Sequence, residues 1–139
     1  MTMLNLLDSL VELLQGLRVE GLGLVAVEKY RRLEPAAGLR VYVSPVSQRE
    51  QAEAIGGQYV ERMEVEVRCE VPWERGAVSD ADALLTLIDK ALALFEAHRE
   101  VGEARRGRVG EVRYGIVHRR TAHPAFYGRF AVEFTADKR

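Results

Sequence analysis

SDADALLTLIDKALALFEAHR, residues Ser79–Arg99, is the stretch that decides the fold. Apolar side chains recur at Leu84, Leu85, Ile88, Ala91, Leu92 and Phe95, the three-and-four spacing that lays one buried stripe along an α-helix. Ser79 with Asp82 three residues on reads as a capping box, and Asp80 adds negative charge where the helix dipole is positive. His98 and Arg99 fall in the last turn, and Gly102 reads as the stop. Strand-like segments flank the stretch on both sides, so this helix is expected to cover one face of a sheet.

Immediately upstream, Tyr59–Val71 is the longest strand candidate. Tyr59, Met63, Val65, Val67, Cys69 and Val71 share one parity and Glu64, Glu66, Arg68 and Glu70 the other, which predicts one buried and one wet face. Leu39–Val46 alternates in the same way, and Leu24–Arg32 reads as a further strand ended by the turn Glu34-Pro35. Between them, Ser47–Gln58 is polar, ends in Gly56-Gly57 and lacks a period. It is longer than a hairpin turn needs and is expected to be either a projecting loop or a short extra helical turn, mobile in the free subunit. At the start of the chain, Met3–Leu17 reads as the first helix, capped by Thr2 or Asn5. Its broad stripe runs through Leu6, Leu7, Leu10, Val11, Leu13, Leu14 and Leu17.

Downstream, Glu100–Gly110 is rich in Arg and Gly and is expected to be an exposed link. Val112, Tyr114, Ile116 and His118 then alternate as a strand, Thr121–Pro124 turns the chain, and Phe126, Phe130, Val132 and Phe134 mark the last strand. The expectation is a single α+β domain over residues 1–139, a mainly antiparallel sheet of four to five strands with both helices on one face. A length of 139 residues suits one core without metal or disulfides. Twenty basic against 21 acidic residues exclude a chain coated in nucleic acid, and a lone cysteine excludes an internal disulfide. No apolar run is long enough for a membrane span, and Asp8 and Glu12 interrupt the first helix as a signal anchor.

The candidate chemistry is thin. His118 and His123 have no third ligand at a metal-binding spacing, and Arg119-Arg120 between them repels a cation. Gly102-x4-Gly107 lacks the Lys-Ser/Thr of a phosphate loop and leads into a strand. Cys69 lies on the buried parity, and Glu64, Glu66 and Glu70 are successive positions of a solvated strand face. No catalytic, cofactor-binding or metal-ligating residue is expected. The arginines of Arg99–Arg120 (Arg99, Arg105, Arg106, Arg108, Arg113, Arg119, Arg120) suit subunit salt bridges first and a nucleic-acid-binding module second.

QYVERMEVEVRCEVP (Gln58–Pro72), the helix from Ser79 to Glu96 and the closing YGRFAVEFT (Tyr127–Thr135) form an order of elements that resembles the tail terminator, or tail completion, proteins of long-tailed bacteriophages. Related neck and minor tail proteins share that order. The resemblance implies a structural virion protein, not an enzyme and without cofactors. Its copies form a ring, a hexamer, on the end of the tail tube; the ring stops tube polymerisation and presents a surface to the head connector. The partners implied are copies of itself, the tail tube protein and a head-connector or neck protein. DNA passes through the lumen without specific binding, and no membrane is involved. The location implied is the virion, with assembly in the host cytoplasm. Such rings make contact through projecting loops and sheet edges, so Arg49, Glu50, Glu53, Ile55, Arg105, Arg106 and Arg108 are the expected contact residues.

Overall fold

The computed structural model describes residues 1–20, 23–31, 38–52, 59–73, 78–118 and 124–137, with the side chains of residues 23, 24 and 52 left aside. The first helix, α1 (Met3–Leu14), is capped by Thr2, whose hydroxyl accepts the Asn5 N–H at 3.1 Å. The second, α2 (Val78–Ala97), turns Ala83, Leu84, Leu87, Ile88, Ala91 and Phe95 inward. Leu87 replaces Leu85 in the expected stripe, and Leu85 is 42% exposed. Gly102 does not stop this helix. It has φ 59° in the tight turn of a hairpin between β6 (Glu100–Val101) and β7 (Ala104–Val109), a position that favours glycine.

The remaining strands are β1 (Arg18–Val19), β2 (Gly23–Leu24), β3 (Ala26–Lys29), β4 (Arg40–Ala52), β5 (Tyr59–Pro72), β8 (Arg113–Val117) and β9 (Ala125–Asp137). β1 and β2 form a small ribbon of their own. The other seven strands form one sheet in the order β3-β4-β5-β9-β7-β6, with β8 also on β9. The α+β expectation holds, but the sheet is larger than four to five strands and mixed, not mainly antiparallel, because β3 runs parallel to β4. The strands depart from expectation in three places, of which the second supplies the two extra strands of the sheet. Leu24–Arg32 is divided into the end of β2 and β3, and the turn at Glu34-Pro35 lies outside the described residues. The Arg/Gly-rich link is the β6–β7 hairpin, with Val101 and Ala104 buried. β4, finally, runs on to Ala52 instead of ending at Val46.

Both helices lie on one face. Leu6, Leu10 and Leu14 of α1 and Leu84, Ile88 and Phe95 of α2 join Val65, Val67 and Cys69 of β5 in a single apolar cluster. Phe95 sits edge-on to Phe130 and Phe134 of β9, with ring centroids 5.9 and 6.4 Å apart. Gly128 has no side chain because Ile88 of α2 occupies the space a Cβ would need.

Candidate functional site

β4, β5 and β9 are continuous over 13 or 14 residues each, which makes a ribbon roughly 45 Å long. β9 covers one edge of β5 from Val60 to Pro72. β3 covers β4 only from Arg40 to Val43, so among the described residues the outer edge of β4 from Ser44 to Ala52 has no strand neighbour. Backbone groups on such an edge can accept a further strand.

The register explains why the sequence did not disclose this strand. A bulge between Pro45 and Ser47 leaves Val46 without an opposite residue and reverses the parity of everything after it. Residues 45–51 are then exposed, so no alternation of polar and apolar residues marks them. Of the expected contact residues, Arg49 and Glu50 therefore lie within β4 and not in a loop. Glu53 and Ile55 lie outside the described residues. Arg105, Arg106 and Arg108 are on β7, two strands away across β5 and β9.

On the face away from the helices, pairing aligns side chains into rows across the sheet. Arg49, Arg62, Thr135 and Arg105 form one row. Ser47, Glu64 and Glu133 form the next, and further along Tyr42, Arg68, Arg129 and Arg113 form another. Arg105 is matched by Asp137 at 3.4 Å and Arg129 by Glu66 at 3.3 Å. Nearer β3 this face is closed. Glu70, expected to be wet, is 3% exposed and accepts from Arg31 Nε at 2.6 Å and Arg68 Nε at 2.7 Å. The Arg68 guanidinium also lies 3.8 Å from the centre of the Tyr127 ring.

Between the rows, an open groove of about 610 Å³ crosses the sheet from the β4 bulge to a second irregularity in β7, between Arg106 and Val109. Glu66 and Ala131 line it between Val46 and the charged group Arg108, Glu111, Arg113 and Arg129. Arg108 has no ion-pair partner among the described residues, whereas Arg113 lies 4.0 Å from Glu111. The arginine-rich stretch is thus divided: Arg105 and Arg106 lie opposite Thr135 and Phe134, and Arg113 lies opposite Arg129, at separate places along β9. Arg119 and Arg120 lie outside the described residues.

Groups with catalytic potential are muted. Cys69 is buried, and burial pushes its thiol up to about 12. Lys29 is held above its usual value by the Asp8 carboxylate 2.6 Å away. His118 is exposed, and His123 lies outside the described residues. No helix among the described residues is long and apolar enough to cross a membrane.

No family model matches the chain, and no curated protein matches it in sequence. Among solved structures it is similar to a chain from the virion of a native gene transfer agent particle. The identity is 16%, the match covers 92% of this chain and 82% of that chain, and the TM-score is 0.37.

Proposed function

We propose that the chain is a structural virion subunit of the tail terminator kind. In this reading its copies close into a ring of six on the end of a tail tube, halting polymerisation and offering a surface to the head connector. The observation that carries the reading is the edge of β4 from Ser44 to Ala52, which has no strand neighbour among the described residues, on a ribbon whose central strand β5 is paired along both edges. A long, accessible strand edge is a liability in a lone monomer and an asset in a subunit that adds neighbours. No catalysis enters this reading.

The reading is tested by measuring mass across concentration and imaging the chain with a phage tail tube protein. Rings of uniform size, alone or on tube ends, are the expected outcome. A strictly monomeric mass at millimolar concentration, with no binding to tube protein, overturns it. The nucleic-acid-binding alternative predicts instead a DNA affinity that falls steeply with salt.

A further inference from the structure

β3 has no fully buried side chain. Ala26, Val27, Glu28 and Lys29 are all half-buried, and of the four only Val27 packs against the apolar cluster. A short parallel ladder and ion pairs hold this strand on the edge of β4. Lys29 Nζ reaches Asp8 of α1 at 2.6 Å on the helix side, Arg40 reaches Glu28 at 3.2 Å, and Arg31 Nε reaches Glu70 at 2.6 Å on the outer face. Lys29 and Arg31 are two residues apart, yet they grip opposite faces, which an unbroken strand does not allow. The reversal falls at Tyr30. Its φ of 63° lies in the left-handed region, where a bulky side chain is strained, and it is 50% exposed. The Tyr30 N–H donates to the Val43 carbonyl at 2.9 Å, where β3 ends, while Val25, just before β3, is buried in the core.

We propose that β3 is a displaceable strap: it peels off β4, from Tyr30 back to the buried Val25, while the rest of the sheet stays folded. Opening lengthens the uncovered edge of β4 from Ser44–Ala52 to the whole of Arg40–Ala52. Segments with few buried apolar contacts open at a lower free energy than the molecule as a whole. Three features favour that here. Peeling relieves the strain at Tyr30; the Lys29–Asp8 pair is largely exposed and so holds weakly; and Glu70 keeps Arg68 Nε at 2.7 Å when Arg31 leaves, so the buried carboxylate is not stranded. One feature opposes it and keeps the strap closed at rest. With β3 in place Val41, Tyr42 and Val43 are at most 1% exposed, and opening uncovers part of them. The strap goes beyond the ring reading and does not depend on it, because that reading rests on the part of the edge that β3 never covers.

The experiment is amide hydrogen exchange on the folded, monomeric chain, followed by NMR in urea concentrations too low to unfold it. The protection factor at residue 30 is compared with that of Val67, which is paired on both sides in the middle of the sheet. Residue 30 is expected to be protected at least about tenfold less than Val67 and to respond little to urea, whereas Val67 follows global unfolding. Ile88→Val, a mild core truncation remote from the strap, lowers protection of Val67 by about threefold or more and leaves residue 30 unchanged. Within the strap, Asp8→Ala lowers protection at residue 30 by up to about fivefold, and Tyr30→Gly, which removes the strain, raises it. Equal protection and equal urea dependence of the two amides, or an Ile88→Val shift common to both, means that β3 opens only with the whole molecule and overturns the proposal. So does a residue 30 amide indifferent to both Asp8→Ala and Tyr30→Gly. Neither result bears on the ring, which the mass measurement decides.

Discussion

Where β4 and β5 run beneath the helices, from Arg40 to Ser44 and from Glu66 to Glu70, the charges of the outer face meet their opposites. Glu70 holds Arg31 and Arg68, Arg40 reaches Glu28 at 3.2 Å, and Glu66 reaches Arg129. Past the bulge the same two strands keep their ladder, but Arg49 faces Arg62 and Glu50 faces Glu61. Beneath, Val41, Val43, Val67 and Cys69 are buried, while residues 47–51 of β4 are exposed. One hairpin thus contains a buried half whose outer-face charges have neighbours of opposite sign and an exposed half in which its two strands set Arg49 opposite Arg62.

The largest effect that can break this comparison is a charge placed in the folding half. Val67→Asp or Ile88→Asp puts an unpaired carboxylate among side chains that are fully buried. The uncompensated charge and lost apolar contact together cost about 5 kcal/mol, comparable with the entire stability of a small domain. Gln51→Asp, on the exposed half, changes stability by less than about 0.5 kcal/mol. Urea unfolding followed by circular dichroism distinguishes the two. A Val67→Asp protein that unfolds like its parent means the helix-side face is misassigned.

Next comes the buried carboxylate. Glu70→Ala strands the Arg31 and Arg68 guanidiniums against the sheet, the first more exposed than the second. Breaking a buried pair costs about 3–5 kcal/mol, and partial exposure of Arg31 brings the expected loss to roughly 2–3 kcal/mol. A loss below about 0.5 kcal/mol, the level of a surface change, would make the two halves alike.

The folding half was legible because it obeys periodicity. The odd-numbered β5 residues from Met63 to Val71 are buried as their alternation predicts, and the α2 stripe is displaced only from Leu85 to Leu87. Tyr59 fails at 53% exposure because it lies at the far end of the ribbon, where its β4 partner is Ala52. The half past the bulge escaped because a strand exposed on both sides shows no hydrophobic period, and its pairing with β5 supplies the ladder its own pattern does not announce. The arginine rows escaped for a different reason: Arg49, Arg62 and Arg105 become neighbours only through the register of four strands. Glu70 was misread as wet because its cover, Arg31, arrives from 39 residues away.

A thiol and a hydroxyl sharpen the contrast further. Burial raises Cys69 from its ordinary 9.0 to about 12, so between those values the unfolded chain loses a proton the folded chain keeps. The folded state then binds more protons, and stability falls as pH rises, by up to about 1.4 kcal/mol per pH unit. Unfolding curves of the parent and Cys69→Ala should diverge above pH 9 and run parallel below it. A Cys69→Ala protein carrying Ser47→Cys places the thiol on the exposed half, where alkylation at pH 8 is fast without unfolding. Equal labelling rates for Cys69 and the introduced thiol would place both in the same environment.

The smallest effect is the most specific, because its sign differs between the halves. Arg129 pairs with Glu66 at 3.3 Å, an attraction set against its place between Arg68 and Arg113, and Arg129→Thr is expected to lower stability by up to about 1 kcal/mol. Arg49 stands opposite Arg62, so Arg49→Thr removes a repulsion and puts a β-branched residue on a strand. Stability of the isolated subunit should rise by roughly 0.2–1 kcal/mol. The two substitutions delete the same side chain from the same sheet face, so differences in helix content, core packing or net charge do not enter. The readout is the urea midpoint of each variant at concentrations where the protein is monomeric, with the slope unchanged. If both midpoints fall, Arg49 is held by an attraction within its own subunit, and the claim that this half is unfavourable to the monomer is lost. If Arg49→Thr raises the midpoint and also weakens self-association, the same arginine opposes the fold and serves the assembly.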